Sequence, residues 1–520
     1  MNKDRPRGSR RWLACALIAL VPPAVAATDE SPTSSFAMAG ETWESSELPP
    51  VPAVPPEMEA QWENTLAGVY ELALRNDPVL AAAEASYRAG LEERRIARAG
   101  LLPQVNGSYE IADTEQDSAG AFAIGALVVP NETEQTVDAE NWAISLEQPL
   151  FDLGAWFSFR RGAELSEQAQ ATFSQAQQDL IVRTVDAYFG VLRAAANLSA
   201  SRAQENALEA QLDQVQQRFE VGLVAITDVY DAQAAYDTAV ADRLADEAAL
   251  DVALELLSVI SGRSHAQLWQ LADDFPVVDP TPDDIDPWLA FTREHNIDLT
   301  VSQLGRDAAL QTARAAASAH LPRVALSLSH RENTSDVDQL DLISGEAAAF
   351  SRDQQQDVIA LSVTVPVFSG LRVSAQRRQA YANYDSSLQN YERTLRVVTQ
   401  LTRASYINVK RDVARTRARA QAIISTQSAL EAAQTGYEVG TRNVVDVLIA
   451  QRAVFSAIRD HANSIIDFVQ DVVALKRQAG ILTPADILEL NRWLEEPADP
   501  TASGEPEPGT PASRASNVEF

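Results

Sequence analysis

Two rhythms of apolar and polar positions alternate along the chain. From residue 154 to 221 apolar residues recur at helical spacing without a proline and with only two glycines, Gly162 and Gly190, after Gly154. At about 1.5 Å per residue this predicts a helix approaching roughly 100 Å. A second helical stretch, about 226–261, runs back to Ser261-Gly262. Before this pair, residues 62–100 read as helix with a break at Asn76-Asp77-Pro78. Between them the period drops to two: Trp142, Ile144 and Leu146 alternate with small or polar residues up to Pro149-Leu150-Phe151. That is a half-buried strand. A weaker strand over about 103–113 precedes it, and the polar segment 114–136 reads as their link.

The same order then recurs. A helix over about 287–318 runs into Leu321-Pro322-Arg323, against Leu102-Pro103-Gln104 before. Val324, Leu326 and Leu328 alternate, as do Ile359, Leu361, Val363, Val365 and Val367 after a polar loop. Helices over 371–439 and 444–479 repeat the long and short pair. The first repeat spans 62–285, with a β-hairpin at about 102–151; the second spans 286–495, with a hairpin at about 321–369. Repeated stretches mark the hairpin tips. Arg218-Phe219-Glu220-Val221-Gly222-Leu223-Val224-Ala225-Ile226-Thr227-Asp228-Val229 aligns without a gap on Gly436-Tyr437-Glu438-Val439-Gly440-Thr441-Arg442-Asn443-Val444-Val445-Asp446-Val447. Each copy reads as a helix ending at a C′ glycine, Gly222 or Gly440, a tight turn, and a new helix. Toward the tips, Leu208, Leu212, Val215 and Phe219, and Ile423, Thr426, Leu430, Ala433 and Tyr437, fall at heptad spacing. The long and short helices should pair as antiparallel coiled coils.

Two hairpins supply four strands, whereas the smallest membrane barrels need about eight. A barrel built from them must be shared among several chains, since open edges would otherwise be left. No segment after the leader approaches the roughly 18 uninterrupted apolar residues of a membrane helix. Lys and Arg total 42 against 73 Asp and Glu, a formal charge of −31. Such a chain repels phosphate, which argues against nucleic-acid binding. The first 26 residues read as a secretory signal: Arg5, Arg7, Arg10 and Arg11, an apolar run from Trp12 to Val21, then Ala24-Val25-Ala26. Cys15 lies inside that run and is the one cysteine, so the mature chain has no thiol chemistry. Residues 27–61 and 496–520 are Pro-, Ser- and Glu-rich and read as a disordered lead-in and tail. Segments 263–290 and 480–495, with Pro, Asp and Trp, read as a small mixed region around the middle of the long helices.

The two tip motifs resemble those of the TolC family of outer-membrane channel-tunnels, and the likeness in element order covers about residues 62–495. The resemblance implies a mostly α protein with a membrane β part. Four strands per chain would join a trimeric twelve-stranded barrel above an α-helical barrel of coiled coils that crosses the periplasm. It implies a homotrimer in the outer membrane of a Gram-negative bacterium, in contact with outer-membrane lipid. It further implies docking on a periplasmic adaptor (membrane fusion protein) and an inner-membrane transporter of RND or ABC type. The duct would export small molecules, secreted proteins or both. By the same resemblance, Thr227, Asp228, Tyr437 and Arg442, with Gln217 close by, would hold the entrance closed. Tyr437 would hydrogen-bond Asp228, and Arg442 would pair with Asp228 or the Thr227 backbone on a neighbouring chain. Asp446 matches an acidic ring at the pore constriction. Where the family carries a second acid the chain has Ile449, so block by polyvalent cations should be weaker. A periplasmic coiled-coil scaffold or adaptor without a pore is the alternative reading, which the two alternating hairpins disfavour.

Several of these residues also have plain structural readings. Asn443 can be an N-cap with Asp446 at N3, and Tyr437 on the heptad seam can be simple core. Arg411, Arg415 and Arg419 share a helical face with Lys410 and Arg417 nearby. A solvated or ion-paired face is one reading, an adaptor-docking groove the other. Trp156, Phe157 and Phe159 suit an aromatic girdle at the inner membrane interface or packing of helix on strand. His265, His295, His320, His330 and His461 are scattered without metal-ligand spacing. No phosphate loop, His-Glu-x-x-His or Gly-x-Ser-x-Gly is present, so neither a cofactor, a metal site nor catalytic residues are expected.

Overall fold

The computed structural model describes residues 62–124 and 127–496. The signal, the lead-in and the tail beyond Glu496 lie outside the described residues. The chain order is α1 (Leu66–Asn76), α2 (Pro78–Ala99), β1 (Gln104–Ile124), β2 (Leu127–Phe151), α3 (Leu153–Glu220), α4 (Ile226–Ser261) and β3 (Gln270–Leu271). It continues with α5 (Ile285–His295), α6 (Ile297–Ser318), β4 (Arg323–Asp341), β5 (Ala347–Thr364), α7 (Arg372–Glu438), α8 (Val444–Ala479), α9 (Pro484–Asn491) and β6 (Leu494–Glu495).

Helices α3 and α7 have 68 and 67 residues, about 100 Å each at 1.5 Å per residue. The Asp152 carboxylate starts α3 by accepting from the backbone N–H of Gly154 and Ala155 at 2.8 and 3.1 Å. Ahead of α7 the chain turns through left-handed Gly370 and Leu371, at φ 60° and 65°. The helix expected over 287–318 is two helices. Asn296 breaks it with an extended backbone and caps α6 through the Leu299 N–H at 3.0 Å. Its amide also donates to the Gln478 carbonyl at 2.8 Å, fixing the break against the end of α8. Asp77 does the same between α1 and α2, capping α2 and pairing with Arg183 at 2.7 Å.

The main core lies where α1, α3 and α8 meet the irregular segments, around fully buried Leu66, Tyr188, Phe189 and Leu475. There β3 pairs with β6, and the Tyr188 hydroxyl donates to the Trp269 carbonyl at 2.8 Å.

The large sheet is antiparallel in the order β1-β2-β4-β5, which leaves β1 and β5 each with an open edge. Residues paired across strands share a face of the pleat, so the register sorts the side chains. One face carries Val105, Tyr109, Ile111, Trp142, Ile144 and Leu146, continued by Val324, Leu326, Leu328, Ile359, Leu361 and Val363. The opposite face carries small and polar residues such as Asn106, Ser108, Ser145, Ser327, Ala360 and Ser362. Most of the apolar row is exposed in the protomer: Tyr109 by 63% and Ile359 by 78%. The apolar band climbs the register from β5 to β1, reaching Ile111 opposite Glu140 on one edge and Val363 opposite Val324 on the other. A level band across tilted strands reads as such a diagonal, and membrane strands are tilted by about 35–45°. Trp142 pairs with Tyr109 at its upper margin and donates its indole N–H to Glu332 at 2.7 Å.

The polar segment 114–136 differs from its reading as a link: its described residues are strand, paired from Thr114↔Val137 to Ile124↔Leu127. Segments 112–140 and 331–357 hold fourteen acids against two arginines, a composition suited to water. Backbone pairing continues there without needing an alternation, so the period-two signal stops while the strands do not.

Candidate functional site: the paired helical tips

Both tips use the same turn. Helix α3 overruns into Val221, and the N–H groups of Gly222 and Leu223 return to the carbonyls of Phe219 and Arg218 at 2.9 and 2.8 Å. In the second copy Gly440 and Thr441 return to Tyr437 and Gly436 at 3.2 and 2.8 Å. Gly222 and Gly440 both sit at φ 78°, where an L side chain costs about 1–2 kcal/mol. Val221, Leu223 and Val439 around the turns are about 70% exposed.

Behind the turns the two hairpins share one cluster. Leu208, Leu212 and Val215 of α3 and Ala232 and Ala239 of α4 meet Val444 and Leu448 of α8, with Tyr437 packed alongside. The seam stops before Phe219, which is 40% exposed.

The helix starts after the turns differ. Asp228 and Asp446 both occupy the third position of their helices. Asn443 caps α8, its side chain accepting from Asp446 N–H at 2.8 Å, while the Asp446 carboxylate accepts from Asn443 N–H at 3.3 Å. At the first tip the cap position is Ala225, which has no side-chain acceptor, so Asp228 has no reciprocal partner. Ile449, three residues after Asp446 and so on its helical face, is 64% exposed.

The Tyr437 hydroxyl is buried without a hydrogen-bond partner, so the anticipated bond to Asp228 is not made within the protomer. The ring of Tyr437 is instead covered by the Arg218 guanidinium, 4.9 Å from its centroid. Among the described residues, no hydrogen bond or ion pair joins Gln217, Thr227, Asp228, Tyr437 and Arg442 to one another. The Arg442 stem packs on Gly436, so close that a Cβ there would lie 3.0 Å from its Cγ. Arg218 was not singled out by sequence: it lies 219 positions from Tyr437, and a cation over a ring leaves no local pattern.

Higher up, the basic run of α7 is largely neutralised. Lys410 pairs with Asp283, Arg415 with Asp467 and Arg419 with Asp460 at 2.5–2.7 Å, and Arg411 reaches Asp412 at 3.1 Å. Near the sheet, Arg94 of α2 stands 5.9 Å over Phe159, whose ring also meets Trp156, so Phe159 packs helix on helix. Trp156 is 47% exposed. Among the described residues no cluster of potential metal ligands occurs.

The family model for "Outer membrane efflux protein" matches residues 69–263 and 288–480. The chain belongs to the outer membrane efflux protein family. It is similar to outer membrane protein TolC of Vibrio cholerae serotype O1, 32% identical over 84% of this chain and 95% of that one. TolC of Escherichia coli K12 is 33% identical over 84% and 86%. The alkaline protease secretion protein AprF of Pseudomonas aeruginosa is 28% identical over 80% and 85%. The solved outer membrane protein VceC of Vibrio cholerae shares the fold with a TM-score of 0.64 at 18% identity, over 81% of this chain and 98% of that one. As an outer membrane efflux protein, the chain is an outer-membrane exit duct extending into the periplasm, and not an enzyme. The α-helical barrel with a β part read from the sequence is the architecture of this family, and the pore-less scaffold reading is set aside.

Proposed function

We propose that three copies join β5 of one to β1 of the next, closing twelve strands into a barrel over a helical tunnel whose periplasmic end is gated by the tips. The observation that carries this reading is the four-stranded sheet with two open edges and a diagonal apolar band. Exposed strand edges within a membrane cannot go unpaired, and four strands are too few to close on themselves. Outer-membrane lipid would cover the band, and the polar face would line water.

At the tips, the unpaired Asp228 and the orphan Tyr437 hydroxyl are groups that a closed trimer would satisfy. Arg442 would reach Asp228 or the Thr227 backbone of a neighbouring copy, with Gln217 beside them. A charge-assisted hydrogen bond of this kind contributes about 1.5–3 kcal/mol, so a few per trimer bias closure and leave it reversible. Asp446 would form the acidic ring of the constriction, with Ile449 an apolar ring one turn away. The exposed apolar turns at Val221, Leu223 and Val439 are suited to an adaptor that docks the duct on an inner-membrane transporter. Cargo would be small molecules, secreted protein or both, in keeping with relatives named for efflux and for protease secretion.

Fractionation and planar-bilayer recording test this. Heat-resistant trimers in the outer-membrane fraction, with single-channel conductance, are expected. A monomer in the soluble periplasm would sink the reading. Identifying the inner-membrane protein cross-linked to the assembled duct decides between the two transporter types.

A further inference from the structure

Asp412, in the middle of α7, is completely enclosed. Its Oδ1 accepts from Arg411 at 3.1 Å and stands 3.2 Å from the Arg415 guanidinium in an ion pair. Its Oδ2 is buried and receives no hydrogen bond. A buried carboxylate oxygen left without a donor is costly. The Asp471 carboxyl of α8 lies against Asp412 within hydrogen-bonding reach. Two facing carboxylates repel when both are ionised, and one proton between them supplies the donor that Oδ2 lacks.

The surrounding charges leave room for that proton. Helix α8 also contributes Asp467, held by Arg415 at 2.5 Å and by Arg193 of α3 at 2.6 Å. Arg193 reaches Gln470 at 2.8 Å, and Asp186 of α3 hydrogen-bonds the same glutamine. Arg411 stands 3.6 Å from Asp471. Lys410, next along α7, is turned away to Asp283 and Asp279 at 2.7 and 3.4 Å. Four carboxyls, Asp186, Asp412, Asp467 and Asp471, thus face three guanidiniums, Arg193, Arg411 and Arg415. One bound proton balances the set.

We propose that Asp412 and Asp471 form a proton-binding site in the tunnel wall, which clamps α7 to α8 while the proton is shared and loosens them when it leaves. The site lies roughly 40 Å from the end of α7 at about 1.5 Å per residue, well away from the tips, and the proposal does not depend on how those close. Burial, the hydrogen bond with Asp412 and its charge push Asp471 up to about 7, against the opposing pull of Arg411. Because the folded protein holds the proton to higher pH than the unfolded chain does, the clamp is intact in acid and is lost as pH rises through about 7. The packing of this helix pair would then follow the pH of the compartment around the tunnel.

The test is made on the assembled full-length protein in detergent. Infrared titration should show a protonated carboxyl that ionises near pH 7 and is missing in Asp471→Asn. Hydrogen-exchange protection of 405–420 and 465–475, corrected for intrinsic exchange, should fall by up to about tenfold per unit as pH rises from about 4 to about 7 in the wild type, and level off above that. In Asp471→Asn it should stay flat, because the amide supplies the donor at every pH. Asp471 is 28% exposed, so this variant avoids the packing risk of Asp412→Asn. Absence of a protonated carboxyl above pH 5, or an equal pH slope in Asp471→Asn and wild type, would overturn the proposal.

Discussion

The two tips share a turn and differ in the helix start on its far side. Val-Gly closes both helices with the same glycine geometry, and an aspartate stands third in both succeeding helices. At the second tip Asn443 draws Asp446 into a reciprocal cap. At the first, Ala225 offers no side-chain acceptor, and Asp228 is not drawn into a reciprocal cap. One residue type at the cap therefore separates an aspartate committed to its own helix from one left available to the proposed latch. The tyrosine shows the same division, its ring engaged by Arg218 and its hydroxyl left over.

The largest effect should come from making the constriction doubly acidic. Ile449→Asp places a second carboxylate one turn from Asp446, and block of trimer conductance by a trivalent cation should tighten on the order of tenfold or more. Unchanged block would mean that these positions do not face the pore. Next, Arg218→Ala removes the guanidinium from the Tyr437 ring, a contact worth about 0.5–2 kcal/mol. Hydrogen-exchange protection of both tips should fall together, whereas a loss confined to α3 would show that the stack does not couple the hairpins. The smallest effects test the caps themselves. Asn443→Ala should destabilise the start of α8 by about 1 kcal/mol, and Ala225→Asn should stabilise the start of α4 by a similar amount. If Ala225→Asn also recruits Asp228 into a cap, channel closure should weaken slightly; tighter closure would contradict the division drawn between the two aspartates.

Much of the fold was legible in the chain because its signals are local. Helical period, the C′ glycines and the spacing of Asn443 and Asp446 each lie within a few residues. The breaks at Asp77 and Asn296 show the limit: Asp77 is followed by proline, whereas Asn296 ends α5 through a tertiary bond to Gln478 that no window reveals. The strands were visible only where apolar and polar residues alternate, and beyond Ile111 acids and small residues break the alternation, leaving isolated apolar pairs such as Val137 opposite Val337. Arg218 over Tyr437, and Asp412 against Asp471, join residues far apart in sequence. For Arg411, Arg415 and Arg419 the run of charge was plain, but the aspartates of α8 that neutralise most of it carry no mark of their partners.

Single-channel conductance of the purified trimer, wild type against Tyr437→Phe with Arg442→Ser, tests most directly that the tips close the tunnel. The pair removes the hydroxyl and the guanidinium of the proposed latch while keeping both turns. A latch built on these groups predicts a conductance several times that of the wild type. An unchanged conductance in a correctly assembled trimer would contradict it.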